Sequence, residues 1–304
     1  MITPLQPGDK IAIIATARLI SHEAITAAIG ILQGWGLEVE VGPTVGAQYG
    51  VFAGDDALRL QDLQQALDRP DIKAIICARG GYGTTRILDQ VDFSQFVKHP
   101  KWIVGFSDIT SLLCHIHSLG IASVHGIMPL LFPTGTEAAL DSLRRVLFGE
   151  ELSYSTPAHA FNRTGIAEGQ LIGGNLALLH NVSGTSSDFS TKGKILFLED
   201  VDEYLYSIDR MMVHLDRAGK LKDLAGLIVG HFSDMKDNAI PFGKDAYEII
   251  AEHTGKYNYP VCYGFPTGHE PDNLALVCGR KARLEVAKSG VKLNYVEPQS
   301  PLQA

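Results

Sequence analysis

In the segment Trp102-Ile103-Val104-Gly105-Phe106-Ser107-Asp108-Ile109-Thr110 an apolar strand passes through a glycine and a serine straight into an apolar helix, with Ser107 at the corner. A serine on a sharp strand-to-helix turn is lifted clear of the sheet, and the first amides of the next helix point at whatever binds beside it. Such a corner suits acyl transfer. It lacks the second glycine of a Gly-x-Ser-x-Gly elbow, which weakens an α/β-hydrolase reading and leaves a plain helix N-cap as the alternative for Ser107.

A second loop, Arg79-Gly80-Gly81-Tyr82-Gly83-Thr84, places three glycines after a buried strand. Glycine permits positive φ and close approach of another group. The loop therefore reads as an anion-binding loop, as a backbone donor to an oxyanion, or as a tight turn with no chemistry. Neither a Gly-x-x-x-x-Gly-Lys-Ser/Thr loop nor a complete Gly-x-Gly-x-x-Gly fingerprint is present, so a nucleotide site is poorly supported.

A serine hydroxyl needs a base within hydrogen-bond reach, and the base needs a third group to fix its tautomer. Two strand ends offer partners: Glu199 follows Ile195-Leu196-Phe197-Leu198, and His269 follows Pro266-Thr267-Gly268. Glu199 reads equally as a cap of the next helix or a partner of Arg210, and His269 is one of 11 histidines. Spacing alone does not join these residues.

The elements that must position them follow from the apolar pattern. The continuous apolar run at 11–15 reads as a strand buried on both faces, and 37–41, 72–78, 101–106 and 122–125 read as further strands, with helices over 21–35, 55–68 and 110–119 between them. Alternating strands and helices imply a flavodoxin-like parallel sheet with right-handed crossovers, whose ligands lie beyond the carboxyl ends of the strands. Periodicity is lost over 151–164, which is read as a linker between an N-terminal α/β domain, 1–150, and a C-terminal α+β domain, 165–304. In the latter, 167–175 reads as a strand ending in a glycine turn and 194–198 as a buried strand. A helix spans 204–218 with Gly219 as its C-cap. Further elements are a strand at 225–230, a helix at 244–253, and alternating residues at 282–286 that predict antiparallel pairing in a mixed or antiparallel sheet.

Composition narrows the function. The 304 residues carry 34 acidic and 26 basic side chains, a formal charge of −8, without the basic cluster that nucleic acid requires. No secretory leader or membrane-length apolar run is evident. Cys77, Cys114, Cys262 and Cys278 lie apart in apolar segments, as expected of reduced thiols in a cytoplasmic protein, and His115 and His117 are badly spaced for a chelate on a helix. No metal is expected.

Taken together, Leu5-x-Pro7-Gly8-Asp9, Arg79-Gly80-Gly81-Tyr82-Gly83, Gly105-Phe106-Ser107-Asp108, Gly173-Gly174-Asn175, Leu198-Glu199-Asp200 and Gly268-His269 resemble, in order and over nearly the whole chain, the LD-carboxypeptidase family of serine peptidases. That family contains muramoyl-tetrapeptide carboxypeptidases and microcin C self-immunity hydrolases. The resemblance implies a Ser107–His269–Glu199 triad, an oxyanion hole at the amides of Gly81 and Asp108, a site between the domains, no cofactor and a homodimer. It further implies removal of the terminal D-alanine from a cytoplasmic murein tetrapeptide during peptidoglycan recycling.

A carboxypeptidase must hold a free carboxylate, for which Arg79 and Arg86 are candidates, with Tyr82 as a wall. A peptidyl-aminoacyl nucleotide would instead need an aromatic platform, and Trp35 and Trp102 both read as structural. Hydrolysis of such a nucleotide peptide, and a non-enzymatic small-ligand binder, are the alternatives.

Overall fold

A computed structural model describes residues 2–296; Met1 and 297–304, the end of the expected C-terminal domain, lie outside the described residues. The chain runs β1 (Lys10–Ile14), α1 (Thr26–Gly34), β2 (Glu38–Val41), α2 (Asp56–Asp68), β3 (Ile72–Cys77), α3 (Thr84–Leu88), α4 (Ser94–Lys98), β4 (Trp102–Gly105), α5 (Thr110–Ser118), β5 (Ser123–His125) and α6 (Glu137–Phe148). It continues with β6 (Ser153–Thr156), β7 (Gly165–Asn175), α7 (Leu176–Val182), β8 (Ile195–Val201), α8 (Leu205–Arg217), β9 (Gly226–Ser233), α9 (Ala246–Thr254), β10 (Val261–Tyr263), β11 (Leu276–Cys278), β12 (Lys281–Ala287) and β13 (Gly290–Tyr295).

Two sheets result. The first has the order β11-β5-β4-β3-β1-β2, parallel from β2 to β5. That order is the flavodoxin-like winding expected from the alternation of elements. Its inner strands are largely apolar because both faces are covered, whereas the edge strand β2 alternates Glu and Val and is only half-buried. Ile11 and Ile13 pack with α1 and α6, while Ala12 and Ile14 pack with α2 and α5. The strand order reverses at β1, and the loops after β1 and β3 meet at the carboxyl edge, where sheets of this winding bind ligands.

The second sheet, β10-β9-β8-β7-β12-β13-β6, is mixed. Strands β7 to β10 are parallel, and β12, β13 and β6 are antiparallel. The α+β character expected of the second half follows, with antiparallel pairing where the residues alternate. Strand β6 lies within 151–164 and pairs with β13.

Three local features differ from the sequence expectation. The helix expected from Ser21 begins as a single 3-10 turn, Glu23–Ile25, and Ile25 at φ −107° and ψ 0° separates it from α1. The short helices α3 and α4 had no periodic signal over five residues each. Gly173 and Gly174 do not turn the chain; they continue β7 to Asn175. Glycine is required there by close approach, since a β-carbon at Gly173 would fall onto the Phe197 backbone of β8 and one at Gly174 would lie 2.6 Å from Thr110 Oγ1.

The sheets interlock. Strand β11, from the second half of the chain, pairs antiparallel with β5 at the edge of the first sheet. Helix α5 is buried along nearly its whole length, and its Cys114 packs among residues of α7 and α8. Among the described residues, no helix is long and apolar enough to cross a membrane.

Gly173→Ala should therefore destabilise the chain by about 2–3 kcal/mol, because backbone rather than a mobile side chain occupies the space. A lower urea midpoint at unchanged m-value would record this; an unchanged midpoint would contradict it.

Candidate active site

Ser107 stands at the carboxyl edge of the first sheet, where β4 ends. Phe106 is extended, and Ser107 opens a 3-10 turn, Ser107–Ile109, that leads into α5. Its φ of 60° is a left-handed value at a non-glycine residue, a conformation that costs of order 1–3 kcal/mol and is kept where the surroundings impose it. Those surroundings are polar and buried. Asp108 Oδ2 accepts the Thr84 amide at 2.9 Å, and Thr84 Oγ1 lies 2.8 Å from Thr16 Oγ1. Arg59 donates to the carbonyls of Thr16 and Gly83 at 2.7 and 2.8 Å. Burial pushes the Asp108 carboxyl above its usual range, against the opposing pull of Thr84.

The glycine loop lies directly on this corner. A β-carbon at Gly80 would sit 2.9 Å from Ser107 Cβ, 3.1 Å from its Oγ and 3.3 Å from the Asp108 amide. Gly81 follows at φ 115°. The backbone of the glycine loop and the first amide of the 3-10 turn thus lie close to one serine.

The second sheet supplies a carboxylate and an imidazole. Glu199 is fully buried near the end of β8, where the register with β9 shifts between Leu198 and Asp200. Its Oε2 lies 2.7 Å from His269 Nδ1. With Nδ1 donating to the carboxylate, Nε2 is free to accept a proton. Gly268 permits the contact, since a β-carbon there would stand 3.0 Å from Glu199 Cβ. Asn273 Oδ1 accepts the Gly268 amide at 3.0 Å and fixes the turn. The His269 ring packs on Phe106, with centroids 4.8 Å apart, which brings it to the residue preceding Ser107. Burial opposes charging of His269, but the charge and hydrogen bond of Glu199 outweigh it and leave the imidazole above its ordinary range.

Two further residues belong to the site. Asp200 is buried and accepts from Asn175 Nδ2 and the Val201 amide, both at 2.8 Å, and from the Ala177 amide at 3.0 Å. It anchors the start of α7. Burial, with Glu199 adjacent, pushes its carboxyl up to about 7. His125, fully buried at the end of β5, packs on Phe106 and Phe197 with centroids 5.6 and 5.0 Å apart. Burial pulls its imidazole down to about 4, so it forms a neutral floor beneath the pair. Its only sequence signal was a position at the carboxyl end of a parallel strand.

The residues expected to hold substrate separate. Both Arg86 Nε and Nη2 donate to Asp56, the latter at 2.7 Å, so its guanidinium is already engaged. Arg79 donates to the Leu19 carbonyl at 3.1 Å. Tyr82 is about half exposed and rests on Phe52 at 5.9 Å. Arg210 donates to Ser207 Oγ at 3.3 Å, not to Glu199.

The fold carries a strained serine corner in the first sheet and a buried carboxylate–imidazole pair in the second, packed on the residue before that serine, and the family to which both halves of the chain match defines the class: this enzyme is a serine peptidase. The chain belongs to the LD-carboxypeptidase family. The N-terminal domain of that family matches residues 11–126 and its C-terminal domain residues 168–284. A probable murein peptide carboxypeptidase of Bacillus subtilis is 36% identical over 299 residues, covering 93% of this chain and 91% of its own. A murein tetrapeptide carboxypeptidase of Pseudomonas aeruginosa is 33% identical over 294 residues, covering 92% and 94%. The crystal structure of a muramoyltetrapeptide carboxypeptidase from Oxalobacter formigenes superposes with a TM-score of 0.86 at 31% identity, covering 96% of this chain and 100% of that one.

Asp200 gives a test of the anchor. A carboxyl raised to about 7 in the fold, from about 3.9 unfolded, holds its proton more tightly when folded. That contribution is complete below about pH 4 and is lost as pH rises through about 7, with a slope of up to about 1.4 kcal/mol per pH unit. Stability of the wild type should therefore fall relative to Asp200→Asn across this window. Parallel stability–pH curves for the two proteins would contradict the assignment.

Proposed function

We propose that this enzyme is a metal-independent serine LD-carboxypeptidase that removes the terminal D-alanine from murein tetrapeptide in the cytoplasm, as a step of peptidoglycan recycling. The observation that carries the reading is the buried Glu199–His269 hydrogen bond of 2.7 Å packed against the residue preceding Ser107. The named relatives and the solved Oxalobacter enzyme support the substrate.

In this reading Ser107 Oγ attacks the carbonyl that joins the L-centre to the D-alanine. His269 Nε2 takes the hydroxyl proton, and Glu199 stabilises the imidazolium through Nδ1–H. The amides of Gly81 and Asp108 hold the tetrahedral oxyanion, a contribution of roughly 3–4 kcal/mol per donor. His269 then returns the proton to the leaving D-alanine nitrogen, and a water activated by the same imidazole releases the tripeptide from Ser107. No cofactor takes part. Murein peptide is the partner, neither nucleic acid nor a membrane is one, and the enzyme works as a homodimer.

Mass spectrometry of tetrapeptide ending in D-alanine, incubated with enzyme and EDTA, should show loss of one alanine. Ser107→Ala should lower the rate by several orders of magnitude. Unchanged tetrapeptide with the wild type would overturn the reading, and cleavage of a peptidyl-aminoacyl nucleotide in its place would assign the second branch of the family.

His269 must be neutral to act as a base, so the acid limb of kcat/KM should fall above the ordinary histidine pKa of about 6.5. Glu199→Gln removes the charge that raises His269. That variant should shift the limb to lower pH while reducing the plateau; a limb at the same pH in both enzymes would contradict the pairing.

A further inference from the structure

We propose that Arg18, backed by Arg79, binds the terminal α-carboxylate of the peptide and thereby makes this site an exopeptidase. The inference rests on the function proposed above and identifies what reads the end of the chain.

Arg18 lies in the loop after β1, at the carboxyl edge of the first sheet where the strand order reverses. The loop is pinned. The Leu19 amide donates to the Val51 carbonyl at 3.0 Å and the Ala53 amide to the Ala17 carbonyl at 3.1 Å, and Arg79 Nη1 donates to the Leu19 carbonyl at 3.1 Å. The aliphatic stem of Arg18 crosses Gly81 so closely that a β-carbon there would stand 2.5 Å from Arg18 Cδ and 2.8 Å from Cγ. Gly80, the preceding residue, is the one that touches Ser107. The exposed Arg18 thus rests across the loop that flanks the serine.

Among the arginines of residues 2–150, Arg18 and Arg79 are the two without an ion pair to a carboxylate. The chain has more acidic than basic side chains, and other arginines of this half pair with them: Arg59 and Arg86 with Asp56, and Arg69 with Glu40 and Asp71. Among the described residues, no carboxylate lies within 4.0 Å of Arg18 or Arg79. Arg79 Nε is buried without a hydrogen-bond partner. Burial and then the neighbouring Arg18 charge depress the Arg79 guanidinium. Two adjacent cations without a counter-ion repel each other and favour any anion that enters between them and solvent, and guanidinium suits a planar carboxylate.

Substrate geometry requires an anchor at this place. When the scissile bond is the last in the chain, the free carboxylate sits one residue beyond the attacked carbonyl, and consecutive Cα atoms are about 3.8 Å apart. The anchor must then border the oxyanion hole. A chain extended by further residues, or ending in an amide, would place an uncharged group against these guanidiniums and forfeit a charged hydrogen bond.

The test compares tetrapeptide ending in D-alanine with the same peptide ending in D-alaninamide. With the wild type, kcat/KM for the acid should exceed that for the amide by about 10- to 100-fold. In Arg18→Gln this ratio should collapse toward one, chiefly through KM for the acid, and Arg18→Lys should restore part of it. Arg18 is exposed, so the variant keeps the fold, which an unchanged melting temperature checks. A ratio in Arg18→Gln equal to that of the wild type, whether both substrates slow together or neither does, would overturn the inference while leaving the peptidase reading in place. A wild type inert toward both peptides would overturn that reading and this inference with it.

Discussion

A carboxylate removed from water is costly unless it is paired, and Glu199 is fully buried with His269 Nδ1 at 2.7 Å. Much of the second sheet serves to hold that pair. Gly268 leaves room for the contact, Asn273 fixes the turn that carries His269, and the register shift in β8 accompanies the change from a buried apolar strand to two adjacent acids. These acids then diverge in use, Glu199 toward His269 and Asp200 toward the first amides of α7.

The pair gains meaning only from its position against the first sheet. Phe106 and His125 form the apolar floor on which the His269 ring and Phe197 rest, and both come from strands of the other half of the chain. Docking is enforced by backbone contacts. The Asn175 amide donates to Thr110 Oγ1 at 3.2 Å, Gly174 lies against the same threonine, and β11 adds to β5. A shift of one sheet against the other would separate serine from imidazole, so in this account interdomain packing governs activity.

The inner parallel strands of the first sheet were legible because burial on both faces writes apolar runs, and the serine corner and the glycine loop because they interrupt those runs at strand ends. Gly173 and Gly174 misled as a turn, since a sequence does not distinguish a glycine that turns the chain from one kept within a strand by close approach of its neighbours. Strand β11 was invisible: three apolar residues carry no period, and their partner is more than a hundred positions away. The joining of Glu199 and His269 to Ser107 came from resemblance to a family, because spacing has no way to bring residues of two sheets together. Arg18 carried no signal at all, as its distinction is the absence of a counter-ion, which only the folded arrangement discloses.

The central claim is that Ser107 is an activated nucleophile because the Glu199–His269 pair stands beside it. Reaction with a fluorophosphonate, followed by mass spectrometry of the digested protein, reads this directly, because ordinary serine hydroxyls do not react at useful rates. The account predicts one stoichiometric adduct, mapped to Ser107, that forms far more slowly in His269→Ala. Adduct formation at another serine, or peptide cleavage by an enzyme whose Ser107 stays unlabelled, would contradict it.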